Sequence, residues 1–479
     1  MLHHRTSMSR RQGGRPVDTT GGNNGRETLA RMGQLESKVR DKPDDGLKRS
    51  LKLWHLIAYG IIIIQPTAPM GIYGVVSNVA RGHVVTAILL AMIAMLFTAV
   101  SYGRMARIYP SAGSAYTYVG KELHPLFGYV VGWSMLLDYI LNPIICAIWC
   151  SAAAVNILPQ VPFAAWAVSF VIVFTALNLR GVQTSGRVNA LLALAMSIVV
   201  VFFLAEAVRY IALVVRPVPG LWLLPFYDPR TFSPNRLYRG TSIAVLTYIG
   251  FDGISTMSEE VENPRRNIMF ATVLTCFIIG ILSSIEVYAA QLVWPGRIPF
   301  APEIVDTAFV QIALRVGGKF LFHLLNATLL IANMGSGIAA QFGAARLLYA
   351  MGRGNSLPRR FFGALDPRSA VPKNNVLLVG LCTLGGAFLL TYERGAELLN
   401  FGAFIAFMGV NAAALVHYKF RSQEKVIFPV LMPLCGLLVS AFIWLHLSHS
   451  AQLLGTAWIA AGLLIYVLMR RERDRVIAA

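Results

Sequence analysis

Two aspartates stand in stretches where charge is not expected. Asp138 follows Val131-Gly-Trp-Ser-Met-Leu-Leu137, and Asp252 sits within Tyr248-Ile-Gly-Phe-Asp-Gly-Ile-Ser-Thr256. Asp138 lies 12 residues into an apolar run that opens near Leu126, about 18 Å along a helix and hence close to mid-bilayer. A carboxylate at that depth needs a proton, a partner or a cationic ligand. Service as an acceptor for a neighbouring helix is the competing account of Asp138. Gly250 and Gly253 bracket Phe251 and Asp252, and two glycines there loosen a helix. In hydrocarbon, open backbone is tolerated only where it lines a cavity enclosed by protein and reached by water. Spaced carboxylates beside Tyr139, Tyr248 and Phe251 suit a small cation, each cation–π contact adding about 0.5–2 kcal/mol. That chemistry is binding rather than bond making, and the chain has neither an HExxH nor a P-loop motif.

The elements that must carry these groups are apolar helices. Of 479 residues, 56% are hydrophobic and 14% charged, and the mean hydropathy is +0.59, which places the chain in a membrane. About twelve runs reach spanning length. They lie near 53–79, 84–105, 126–152, 163–179, 188–215, 237–256, 268–293, 320–351, 375–391, 397–418, 427–447 and 454–469. The first is interrupted over Gln65-Pro-Thr-Ala-Pro-Met-Gly-Ile-Tyr-Gly74, where two prolines remove backbone donors and two glycines admit other angles. The second interruption, at Gly250, lies about 180 residues further on, the length of five helices and their loops. Paired discontinuous helices in matching places point to an inverted repeat with a binding site between the breaks.

The formal charge is +19, and most of the 42 Lys and Arg fall on one side of the alternating spans. The positive-inside rule accounts for that asymmetry, so the basic balance reports orientation, with both termini cytoplasmic, rather than a nucleic-acid partner. Residues 1–50 carry no apolar run and read as a disordered cytoplasmic tail; 51–470 form the transmembrane domain and 471–479 a cytoplasmic C-terminal tail. The connection from Arg216 to Arg239, rich in proline, reads as an external loop. The five cysteines lie within apolar spans and read as packing residues, not as disulfides or a metal cluster. Glu206 and Glu286, in outer halves of their spans, read as groups reaching toward the interface. His446 and His449 also read as interfacial. Glu259 and Glu260 read either as a solvated cluster or as an inner gate pairing with arginines such as Arg104.

Three stretches resemble the amino acid–polyamine–organocation (APC) permeases: Tyr109-Pro-Ser-Ala-Gly-Ser-Ala-Tyr-Thr-Tyr118, Gly250-Phe-Asp-Gly-Ile-Ser255 and Glu259-Glu-Val-Glu-Asn-Pro-Arg-Arg266. Arg346-Leu-Leu-Tyr-Ala-Met-Gly-Arg353 is similar to that family's eighth-helix ending. The stretch ending in Asp138-Tyr139, with that around Asp252, looks most like the family's bacterial putrescine importers. The resemblance implies an all-α integral membrane fold, a five-plus-five inverted repeat with two extra helices, in the plasma membrane. It implies a substrate held between broken helices one and six by Thr67, Ala68, Met70, Gly71, Ile72, Tyr248, Gly250, Phe251 and Asp252, with Asn400 contributing from helix ten. The expected activity is import of a polyamine such as putrescine by alternating access, with amino acid permeation or exchange as the alternative. Two departures matter. The run Pro69-Met-Gly-Ile-Tyr73 replaces the Gly-Ser/Thr-Gly-Ile-Phe of amino-acid carriers, whose amides hold a carboxylate. Met196 falls where proton-coupled members have a lysine, and Ser336 stands alone where sodium-coupled members pair hydroxyls; a proton remains the expected coupling ion, and no cofactor or metal is expected.

Overall fold

The computed structural model describes residues 51–478 except 111–113, 182–185, 216–219, 259–260, 296–297, 354–356, 368, 370 and 422–427; side chains of 186–189, 256, 428–429 and 470–478 are also outside the description. The tail expected at 1–50 and the gate glutamates Glu259 and Glu260 lie outside the described residues. The described chain is helical apart from turns, loops and one bridge between Leu51 and Val261.

The first apolar run forms α1 (Leu53–Ile64) and α2 (Ala68–Val79), bent at 45° to each other. The break is narrower than the sequence suggests. It occupies Gln65 to Thr67, with Gln65 at φ 72° and its amide Nε2 donating to the Ala332 carbonyl at 3.2 Å. Pro69 falls in the first turn of α2, where its missing N–H would have been unpaired in any case. Gly71 and Gly74 are helical. A methyl group on Gly74 would fall on the Val305 carbonyl and the Ala308 side chain, so this glycine serves close packing.

The chain continues through α3 (Val84–Ile108), α4 (Ser114–Glu122), α5 (Pro125–Ile157), α6 (Phe163–Leu179) and α7 (Gly186–Tyr210), which widens into a π turn over Ile211–Val215. The second break begins as α8 (Pro234–Ala244) tightens into a 3₁₀ turn, Val245–Tyr248. Gly250 then takes φ 112°, a value that excludes most side chains, and one helical turn follows at Gly253–Thr256. The remaining helices are α9 (Pro264–Val293), α10 (Ala308–Arg353), α11 (Lys373–Leu389), α12 (Tyr392–Val416), α13 (Phe428–Leu445) and α14 (His449–Ala478). Non-helical Gly318, at φ 65°, separates a short leading segment of α10 from its long part. The last helix runs on through the segment expected as a C-terminal tail.

Seven helices are long and apolar enough to cross a membrane, eight if α1 and α2 count as one span, and three shorter apolar helices accompany them among the described residues. The protein is a multi-pass membrane protein. Large apolar side chains such as Leu191, Leu381 and Leu389 stay exposed on its flanks, as lipid contact requires. Inside, α3 packs along α9, while α5 lies between α10 and α12. Trp133 and Trp458 each donate an indole N–H to the other's carbonyl, at 2.8 and 3.0 Å, fastening α14 to α5.

Glu206 pairs with Arg209 at 2.6 Å, in keeping with an interfacial side chain. Glu286 does not fit that expectation: it is fully buried, and neither carboxylate oxygen finds a hydrogen-bond partner among the described residues. His446 meets Tyr238 edge-on and packs at a tilt against Phe442, and no group of metal-ligating side chains occurs among the described residues.

Overpacking costs about 1–3 kcal/mol, so Gly74→Ala should lower the thermal midpoint of the detergent-purified protein by several degrees. Gly385→Ala, where an added methyl meets nothing within 4 Å, should leave the midpoint unchanged or raise it. Equal midpoints for the two variants would contradict the packing role given to Gly74.

Candidate functional site

A helix that stops in mid-membrane leaves carbonyls and amides that lipid cannot satisfy. Both breaks meet this by tightening. Around Gly250 the amides of Phe251, Gly253, Ile254 and Ser255 bond three residues back, at 3.3, 3.0, 3.2 and 2.9 Å. At the first break, Ala68 N–H donates to Gln65 at 3.2 Å and Met70 N–H to Thr67 at 3.0 Å. The Ser255 hydroxyl lies 2.7 Å from that of Ser114, tying the inner side of the second break to α4.

Between the breaks lies a cavity of about 500 Å³, within the usual range for a small-molecule site. Thr67, Ala68, Gly71 and Ile72 line it from the first break, Gly250 and Asp252 from the second, and Asp138 and Tyr139 from α5. Eight of the twelve residues expected to hold a ligand therefore share one cavity. Asp138 and Asp252 are both partly exposed to it. Among the described residues, its lining includes no Lys, Arg or His.

The other four stand off its wall. Met70 is 1% exposed and packs into the core. The 3₁₀ turn carries Tyr248 away, to donate its hydroxyl to the Ile88 carbonyl at 3.0 Å. Phe251 sits in an aromatic cluster, 5.4 Å from both Tyr102 and Phe407 between ring centres. Asn400 spends its amide on the carbonyls of Ser242 and Ile243, at 2.7 and 3.4 Å, bracing the outer half of the second broken helix. The Arg104 guanidinium lies 5.4 Å over the Tyr418 ring.

Several lining residues were not anticipated. Asn142 follows Asp138 by one helical turn and shares its face, a signal available in the sequence. Its Oδ1 accepts from Ser336 Oγ and Cys146 Sγ, both at 3.3 Å, joining α5 to α10. Met196 reaches the cavity from α7, with its sulfur 3.9 Å from Thr67 Oγ1. Tyr392, the first residue of α12, lines it from the other side, its hydroxyl beside Gly71. Tyr59 extends the lining down α1.

Known proteins are similar to this chain in sequence. The model of the family "Amino acid permease" matches residues 58–468. The chain belongs to the amino acid permease family. It is a membrane transporter rather than an enzyme. This permease is 33% identical to the low-affinity putrescine importer PlaP of Escherichia coli (strain K12) over 430 residues, 87% of this chain and 93% of that one. It is 25% identical to the methylthioribose transporter of Bacillus subtilis (strain 168) over 93% of this chain and 99% of that one. It is 26% identical to the branched-chain amino acid permease BcaP of Lactococcus lactis subsp. cremoris (strain MG1363), over 88% and 94% of the two chains. The family is thus shared by carriers of quite different solutes, and the cavity's own chemistry must decide among them.

The cavity runs from the breaks toward Tyr59 midway along α1, Leu192 in the second turn of α7 and exposed Ala339 in the later part of α10. From the breaks, each lies in the direction of basic residues: Lys52 before α1, Arg180 before α7, and Arg346 and Arg353 at the end of α10. In a cysteine-free background, Ala339→Cys should therefore react with a hydrophilic thiol reagent supplied from the basic face, in inverted membrane vesicles. Val287→Cys, at a fully buried position, should not. Equal labelling, or labelling of neither, would contradict the placement of the opening.

Proposed function

We propose that this permease imports a small organic dication, putrescine or a close relative, across the plasma membrane by alternating access. The observation that carries the reading is the charge of the cavity: two carboxylates, Asp138 and Asp252, with no basic side chain in the described lining. A diamine brings two positive charges and no carboxylate, so each end has a partner. Tyr139, Tyr392 and Tyr59 add ring faces and hydroxyls along the same walls. The likeness to a putrescine importer supports the same reading.

Amino acid transport is the alternative that the other relatives support. A zwitterion needs free amides at a helix start for its carboxylate. At the start of α2 few remain: Ala68 and Met70 already donate to Gln65 and Thr67, and Pro69 has no N–H. Met196 at the cavity wall supplies no charge. Apolar lining residues such as Ile62, Ile63 and Ile145 instead suit the methylene chain of a diamine.

In this mechanism Asp138 and Asp252 hold the ammonium groups, with Thr67, Ala68, Gly71, Ile72 and Gly250 shaping the pocket between them. The half-helices α1 and α8 rock against the scaffold of α3, α5, α9 and α10, within a twelve-span inverted repeat whose termini face the cytoplasm. Protons are the proposed coupling ions. Gate glutamates Glu259 and Glu260, with Arg104, belong to the inner closure in this scheme.

A charge-assisted hydrogen bond contributes about 1.5–3 kcal/mol, so Asp252→Asn should cut putrescine uptake efficiency by about 10- to 100-fold while the protein still reaches the membrane. The test is labelled putrescine uptake into proteoliposomes, in competition with a panel of amino acids. Unlabelled putrescine should compete and neutral amino acids should not. Uptake unchanged in Asp252→Asn, or displaced equally by leucine, would overturn the dication reading.

A further inference from the structure

The outer half of the second broken helix is fastened by charged groups that the transport scheme leaves unused. Arg239, in the second turn of α8, directs Nη2 to Glu393 Oε1 at 2.8 Å and Nε to Glu397 Oε1 at 3.1 Å. Both glutamates lie at the start of α12. One turn deeper, the Asn400 amide holds the Ser242 carbonyl at 2.7 Å. These two rungs clamp α8 to α12 on the side of the breaks away from the cavity's mouth. Tyr392, the residue before Glu393, reaches down to the cavity wall beside Gly71. The clamp and the cavity thus lie on one line through the molecule.

The rungs differ in kind. Asn400 is fully buried and its bond is neutral. Arg239 and Glu393 keep 40% and 35% of their side chains exposed, whereas Glu397 keeps 1%. Exposed ion pairs are readily broken and contribute little to stability, so this pair is a poor brace and a good exchangeable contact. Glu397 marks what it exchanges with. Its second oxygen, Oε2, is buried and has no hydrogen-bond partner among the described residues. A buried carboxylate satisfied on one side only, by a half-exposed guanidinium, is costly, and a second cation arriving at the same place would relieve that cost.

We propose that Arg239 is the outer latch of the transport path, and that Glu393 and Glu397 form a waiting site for the ammonium group of an incoming organic cation. The guanidinium swings out as the ammonium arrives, so the solute itself releases the outer half-helix and then passes to the deeper carboxylate at Asp252. A solute presenting a carboxylate first would meet two like charges and leave the latch shut. The waiting site rests on the dication reading above; the latch does not.

The test uses the full chain in intact cells with the five native cysteines replaced and one reporter, Ala68→Cys, facing a membrane-impermeant thiol reagent outside. Arg239→Gln should raise the labelling rate about tenfold, and Glu393→Gln, at a half-exposed position that tolerates change, should raise it as well. Arg239→Lys, which keeps the charge, should stay within about twofold of its parent. Unchanged labelling in both Arg239→Gln and Glu393→Gln would overturn the latch. In transport by the parent sequence, Glu397→Gln should raise the KM for external putrescine about tenfold with little change in maximal rate, while Arg239→Gln should lower that KM. Shifts in the same direction for both variants indicate a brace alone and would overturn the waiting site. If the parent does not carry putrescine yet Arg239→Gln labels faster, the dication reading and the waiting site fail together and the latch stands.

Discussion

Every unusual feature of this permease follows from one constraint: a peptide group inside a bilayer must find a partner within the protein or in water it admits. Leaving such a group unpaired costs about 2–7 kcal/mol, and net folding stability is only about 5–15 kcal/mol. Two helices that stop midway are therefore affordable only with compensation at each break. The structure supplies it through three-residue turns around Gly250, through Gln65 bonded to Ala332, and through a cavity beside both. The cavity is the consequence of broken backbone as much as the place where a ligand fits.

The same constraint sorts the chain into firm and loose parts. Firm contacts are neutral and buried: the paired indoles of Trp133 and Trp458, Asn400 on the α8 carbonyls, Tyr248 on α3. Such bonds lose no charge to desolvation and hold their geometry. Charged contacts gather at the ends of helices, where water keeps them weak. Lys373, the first residue of α11, for example, pairs with Asp366 at 3.0 Å with 44% of its side chain exposed. The outer half of the second broken helix is thus held by one charged rung at its tip, Arg239 on Glu393 and Glu397, and by neutral bonds deeper down, from Asn400 and Tyr248.

Legibility in the sequence divided along the same line. Apolar length, prolines and paired glycines announce the helices and both breaks, because they act on local backbone. The face carrying Asp138 was half legible: Asn142 lies one turn on, and helical spacing alone places it beside the carboxylate. Tyr248 and Phe251 turned elsewhere because the chain tightens to three residues per turn just before them, which shifts every following side chain around the axis. No composition signal announces that change. Pro69 looked like part of the interruption, yet it opens α2 comfortably, since the first turn needs no donor. Contacts between distant elements left no trace at all. Arg239 is 154 residues from Glu393 and 158 from Glu397, and Glu286 carries no mark of its complete burial.

The functional claim comes down to charge matching. Two carboxylates facing one cavity without a basic side chain in its described lining favour a solute with two positive ends, by an amount that one removed ammonium should expose. The most direct measurement is equilibrium binding to the purified permease of putrescine against n-butylamine, which keeps the methylene chain and lacks one ammonium. The account predicts putrescine binding at least tenfold tighter, with the difference shrinking in Asp138→Asn. Equal affinities for the two amines, or tighter binding of a neutral amino acid than of putrescine, would contradict it.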